Sequence, residues 1–136
     1  MRIVIVGCGK VGTTLAEQLD RENHEIVLIE KNQDILDGVT NNLDIMGISG
    51  NGASDRVLLE AGVNKADLLI AVTPTDELNL LCCLIAKKLG VKSTIARVRN
   101  PEYAREIGLV QEDLGLSMAV NPEAAAAQEI AQLLRL

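Results

Sequence analysis

Three glycines near the start of the chain are spaced to bring a main chain against phosphate. They lie in Gly7-Cys8-Gly9-Lys10-Val11-Gly12, directly after the apolar run Ile3-Val4-Ile5-Val6 and directly before the helix-forming stretch Thr13 to Leu19. In a strand-to-helix turn of this kind Gly7 takes a backbone angle that a side chain would forbid. Gly9 lets the main chain approach a pyrophosphate, and Gly12 lets the helix pack on its strand. The helix start then presents unpaired N–H groups and its positive dipole end to the anion. Glycines also mark ordinary loops, so it is the flanking strand and helix that give the motif its meaning.

A dinucleotide site also needs an acceptor for ribose hydroxyls. Glu30 ends the next apolar run, Ile26-Val27-Leu28-Ile29, 23 positions after Gly7, close to the spacing of about 20 at which such an acid occurs. A carboxylate there accepts hydroxyls and repels a 2′-phosphate, which favours NAD(H) over its phosphorylated form. Lys31 follows at once and weakly offsets that repulsion. The competing reading of Glu30 is a solvated strand end.

These residues must be held by a sheet. The pattern alternates strand and helix throughout, with strands expected at 2–6, 25–30, 44–49, 68–72, 94–98 and 117–120. Helices are expected at 11–22, 33–40, 55–61, 76–89, 102–109 and 123–136. This is an α/β, Rossmann-type doubly wound parallel six-stranded sheet, strand order 3-2-1-4-5-6, with its ligand crevice above strands 1 and 4. Gly62 and Gly90 sit just past helix ends, where left-handed caps occur. Turns after strands 3 and 4 should line the crevice. The first, Asn51-Gly52-Ala53-Ser54, has Gly52 for flexibility and Ser54 as a cap; the second is Thr73-Pro74-Thr75-Asp76-Glu77, whose acids either cap the next helix or meet the ligand.

Composition narrows the function. One domain of 136 residues, 48% hydrophobic with no Trp or Phe and only Tyr103 as an aromatic, must build its core from Val, Ile, Leu and Ala, as a sheet covered on both faces does. Adenine would then lie between aliphatic side chains. A net charge of −6 with scattered Lys and Arg excludes nucleic acid as a partner. The apolar run Leu80 to Ala86 is too short to span a bilayer, so any membrane role runs through a partner. Cys8, Cys82 and Cys83 lack metal-ligand spacing and a disulfide pattern; the last two are expected as small buried residues, and no metal site is expected. The helix over 76–89 is apolar nearly all round, more than a one-sided packing needs, and its outer side is expected to meet another subunit.

Residues beyond the glycines are more distinctive. The turn at Gly7 to Gly12, Glu30, Gly50-Asn51-Gly52-Ala53-Ser54, Ala71-Val72-Thr73, Thr75-Asp76-Glu77-Leu78-Asn79 and Ile95-Ala96-Arg97-Val98-Arg99 together resemble the RCK/KTN family. Within it, they resemble the N-terminal nucleotide-binding domain of regulatory proteins of Trk-type potassium uptake systems. The resemblance implies cofactor contacts at Gly7, Cys8, Gly9, Lys10, Val11, Gly12, Glu30, Lys31, Asn51, Gly52, Thr73, Pro74 and Arg97, with NAD(H) as ligand and ATP or ADP as the alternative. It implies a homo-oligomer, dimer or larger, on the cytoplasmic face of the membrane beside a membrane-embedded potassium transporter or channel subunit. It also implies a C-terminal regulatory domain following residue 136. Arg97 and Arg99, two apart on strand 5, point to one side; the resemblance makes them phosphate or interface ligands.

A small NAD-dependent oxidoreductase is the competing class, since fold alone does not choose. The residues argue against it. His24 falls in the turn before strand 2, and Tyr103 has Ile107 where a Tyr-x-x-x-Lys pair would carry its lysine. No general acid or base is recognisable, so the expected role is non-enzymatic: nucleotide binding shifts the conformation of an assembly that controls potassium transport.

Overall fold

The computed structural model describes residues 1–121. Six strands form one parallel sheet in the order β3-β2-β1-β4-β5-β6: β1 Arg2–Val6, β2 Glu25–Glu30, β3 Met46–Ser49, β4 Leu68–Ala71, β5 Ser93–Arg97 and β6 Met118–Val120. Between them run α1 Lys10–Arg21, α2 Gln33–Thr40, α3 Asp55–Glu60, α4 Asp76–Leu89 and α5 Pro101–Val110. The expected helix over 123–136 lies outside the described residues.

Alternation along the central strands builds two cores. Ile3, Ile5, Ile26, Leu28, Leu68 and Ile70 meet Val11, Leu15 and Leu19 of α1 and Leu36 of α2 on one face. Val4, Val6, Val27, Ile29, Leu69 and Ala71 meet α3 and α4 on the other, where Cys82 and Cys83 are fully buried. Burial on both faces is why these strands read as unbroken apolar runs.

Differences from expectation are local. β3 starts at Met46 rather than at Asp44, because Leu43 and Ile45 still belong to the turn leaving α2. A 3₁₀ turn at Val63–Lys65, not anticipated, follows Gly62; Gly62 and Gly90 do take the left-handed backbone, with φ of 81° and 117°. Gly52 is not a flexible joint: it is buried, and a Cβ there would overlap Val6 Cγ1 and press on Cys82 Sγ.

Candidate functional site

Register places the site. Val6 pairs with Ile29 and with Ala71, and Ala71 pairs with Ala96. One residue further along each strand, Glu30, Gly7, Val72 and Arg97 therefore form a row across the carboxyl ends of β2, β1, β4 and β5. Period-two alternation sends all four toward the α1 face, since Leu28, Ile5, Ile70 and Ile95 lie in that core. Three strand spacings, about 14 Å, separate the acid at one end from the arginine at the other.

Above this row lies a cleft of about 360 Å³ lined by Gly7, Cys8, Gly9, Glu30, Lys31, Asn51, Gly52, Thr73, Pro74 and Arg97, together with apolar walls that include Ile35 and Leu78. A second cavity, about 320 Å³, lies at the opposite end of the strands around Arg2, His24 and Glu25. It contains none of the motif residues. Ten of the thirteen expected cofactor residues meet in the first cleft. Lys10, Val11 and Gly12 do not line it: Lys10 is exposed, Val11 is in the core under α1, and Gly12 is buried against Gly7. Their main chain has another part, because the first α1 bond runs from Thr13 N to Gly9 O and leaves three N–H groups at the helix start without helical acceptors.

Each glycine does a separate job. Gly7 has a φ of 110°, and a Cβ on it would sit 3.0 Å from the Val72 carbonyl. A Cβ on Gly12 would overlap the Gly7 carbonyl oxygen. Of these three, only on Gly9 would a Cβ meet nothing within 4 Å. The open surface at Gly9, beside tightly packed Gly7 and Gly12, fits a group that needs bare backbone, as a pyrophosphate does.

Glu30 is fixed from two sides. Its Oε1 accepts the Cys8 N–H at 3.0 Å and its Oε2 accepts the Asn32 N–H at 2.8 Å. Each carboxylate oxygen keeps a lone pair for a ribose hydroxyl. Beside it the Cys8 thiol is pushed up to about 12, by burial first and by the Glu30 charge second, which leaves it protonated and unreactive at neutral pH. Asn51 is exposed and folds its Oδ1 onto the Ala53 N–H; Ser54 caps α3 by accepting from Val57 N–H.

At the far end Arg97 donates through Nη2 to the Thr73 carbonyl. Its Nε is buried and has no hydrogen-bond partner among the described residues. Burial first and Arg99 second lower its pKa, while Asp76 opposes them. Arg99 donates to the Pro74 carbonyl, so both arginines reach the same loop. At the acidic turn Thr75 holds the cap position of α4 without a side-chain bond and lines the cleft. Asp76 neither caps nor faces the cleft but accepts the N–H groups of Arg99 and Asn100 at 3.0 and 2.8 Å.

Sequence reasoning missed the apolar walls Ile35 and Leu78, which single apolar positions in a helix do not announce. It also passed over Asn79, although the Thr75 to Asn79 motif contains it. Asn79 is fully buried behind the cleft wall. Among the described residues no group of His, Cys, Asp and Glu is placed to hold a metal ion, and no helix is long and apolar enough to cross a membrane.

The family model for the TrkA-N domain matches residues 3–122. A Trk system potassium uptake protein TrkA homolog of Archaeoglobus fulgidus is 45% identical over 134 residues, covering 98% of this chain and 30% of that protein. Among solved structures, the TrkA-N domain of the inner membrane protein ybaL from Escherichia coli superposes with a TM-score of 0.78 at 24% identity, covering 98% of this chain and 96% of that one. The GsuK channel bound to NAD gives 0.74 at 24% identity, covering 88% of this chain and 21% of that one, and GsuK has also been solved bound to ADP. At that identity the two structural likenesses speak to fold alone. The chain belongs to the TrkA-N domain family, and it spans less than a third of the length of the Archaeoglobus relative.

Proposed function

We propose that this TrkA-N domain binds NAD(H) in the cleft above β1 and β4 and acts as a nucleotide-sensing regulatory unit of a Trk-type potassium uptake system. The observation that carries the reading is the row from Glu30 through Gly7 and Val72 to Arg97. An acid for the adenosine ribose, bare backbone for the pyrophosphate and a cation for the distal half stand in line at the spacing of a dinucleotide. Lys31, Asn51 and Gly52 border the adenosine end, Ile35 and Leu78 supply apolar contact for bases, and Thr73 and Pro74 border the distal end. The helix-start N–H groups of Lys10, Val11 and Gly12 contribute charge from below the phosphates.

The role proposed is regulatory rather than enzymatic. Among the described residues the charged groups that line the cleft are Glu30, Lys31 and Arg97; the first two sit at the adenosine end, and an arginine does not exchange protons at neutral pH. Binding would act by stabilising one arrangement of a homo-oligomer, dimer or larger, peripheral on the cytoplasmic face of the membrane and coupled to a membrane-embedded potassium transporter or channel subunit. That requires unequal affinity for the two arrangements. The half-exposed Leu81 and the neighbouring Leu84 on the outer face of α4 are the proposed subunit contact.

A second reading, an ATP or ADP sensor, is favoured by one observation: the Arg97 guanidinium at the distal end of the cleft lining suits a terminal phosphate as well as a distal ribose. Calorimetric titration with NADH, NAD⁺, ATP and ADP separates the two. Tightest binding by a dinucleotide supports the proposal; tightest binding by ATP or ADP replaces it with the second reading. Potassium flux through a reconstituted transporter carrying the subunit should then follow the favoured nucleotide, with no nucleotide consumed.

A further inference from the structure

We infer that Asn79 is the positioning residue for the distal half of the cleft, an inference that rests on the nucleotide reading above. Asparagine is a poor choice for a helix interior, and this one lies in the second turn of α4, fully buried. Its side chain is completely used. Oδ1 accepts the Thr73 N–H at 2.8 Å and the Thr73 hydroxyl at 2.7 Å, while Nδ2 donates to the carbonyls of Thr73 and Arg97 at 3.1 and 2.9 Å. An amide offers two donor hydrogens and two acceptor lone pairs; all four are engaged, and every bond goes to Thr73 or Arg97.

The place of these bonds is as telling as their number. Ala71 and Ala96 are the last residues of β4 and β5 in ladder register. Beyond them the Asn79 amide takes over, joining the exit of β4 to the end of β5. Thr73 and Arg97 both line the cleft, whereas Asn79 does not. The Thr73 carbonyl that Asn79 holds is also the acceptor of the Arg97 guanidinium. Asn79 thereby fixes the cation that lines the distal end of the cleft, Arg97, while lining the cleft with no atom of its own. Asp76, one helical turn earlier, accepts the N–H groups of the next two residues after Val98, so hydrogen bonds join the two loops into one wall.

The spacing across the row dictates the test. A ligand held at Glu30 must cross about 14 Å to reach Arg97; NADH is long enough and AMP is not. Calorimetric titration of the full chain with NADH and with AMP, for the unmodified protein and Asn79→Ser, should show NADH binding weakened about tenfold or more and AMP binding changed by less than about threefold, since a misplaced positioning group costs affinity only where it positions. A residue that served stability alone would lower the Tm and leave the ratio of the two affinities unchanged, and that result overturns the inference. Should Asn79→Ser fail to fold, the unmodified protein carries the test: the Thr73 amide hydrogen should exchange more slowly with NADH bound than with AMP bound, and equal exchange overturns the inference. Failure of the unmodified chain to bind either nucleotide would instead overturn the nucleotide reading and this inference with it.

Discussion

Glu30 Oε1 accepts the backbone N–H of Cys8 at 3.0 Å, so the acid that would hold a ribose also braces the turn that would hold the phosphates. The two jobs are mechanically joined. Glu30→Ala should therefore weaken AMP and NADH together, because loss of the brace loosens the turn that both need. Arg97→Met should weaken NADH and spare AMP. Titration of the two variants checks the pattern; an AMP affinity untouched by Glu30→Ala would separate the brace from the site.

Gly9 and Gly12 should respond oppositely to a single methyl. A Cβ at Gly12 meets the Gly7 carbonyl oxygen, whereas one at Gly9 meets nothing within 4 Å. Gly12→Ala is expected to destabilise the fold by roughly 1–3 kcal/mol, the usual penalty of overpacking, seen as a lowered Tm. Gly9→Ala should keep its Tm and lose nucleotide affinity, and Gly9→Val should abolish binding. An undisturbed Tm for Gly12→Ala would contradict the packing described.

Asp67 makes stability depend on pH at the acid end. Its carboxylate accepts the Arg2 N–H and is paired with Lys92 at 3.0 Å, and these hold its pKa below the ordinary 3.8, the backbone bond being the larger cause. A lowered folded pKa means that the fold favours the ionised form. The contribution is full above 3.8 and is lost as pH falls through the folded value. Asp67→Asn should lower the Tm at pH 7, and the gap should close as the pH is taken below 3.8. A gap of constant size down to strong acid would contradict this.

Cysteine labelling reports on the phosphate turn. Cys8 and Cys82 are both pushed up to about 12, burial being the main cause in each, and burial raises Cys83 as well. Only thiolate reacts, so iodoacetamide at pH 7 should leave the native chain unlabelled and modify all three positions after denaturation. Rapid native labelling at Cys8 would show a turn more open than described.

Leu81, at 45% exposure, is among the exposed large apolar side chains and lies on the outer face of α4. Leu81→Lys should dissociate the proposed oligomer at micromolar concentration while leaving the Tm of the subunit close to its original value. Light scattering decides; a strict monomer before substitution would remove α4 as an interface.

How much of this was legible in the sequence follows from what each residue does. Continuous apolar runs such as Ile3 to Val6 and Ile26 to Ile29 announce doubly covered parallel strands, and the glycine turn with Glu30 announces the near half of the cleft, because those roles depend on residue type at short spacing. The distal half was less legible. Asp76 looks like a helix cap until the β5–α5 loop is seen against it, and Asn79 looks like an indifferent helical residue until Thr73 and Arg97 are brought around it from six and eighteen positions away. Gly52 looks like a loop glycine until Val6 is found in the space its side chain would fill. Val11 belongs to the glycine motif by position, yet its side chain belongs to the core.

The central claim, that Glu30 selects an unphosphorylated adenosine ribose in this cleft, is tested most directly by titrating the unmodified chain and Glu30→Ala with NADH and with NADPH. The unmodified chain should prefer NADH by about tenfold or more, since a half-buried carboxylate facing a phosphate is unfavourable, and Glu30→Ala should lose most of that preference. Equal affinity for NADH and NADPH in the unmodified chain would contradict the account.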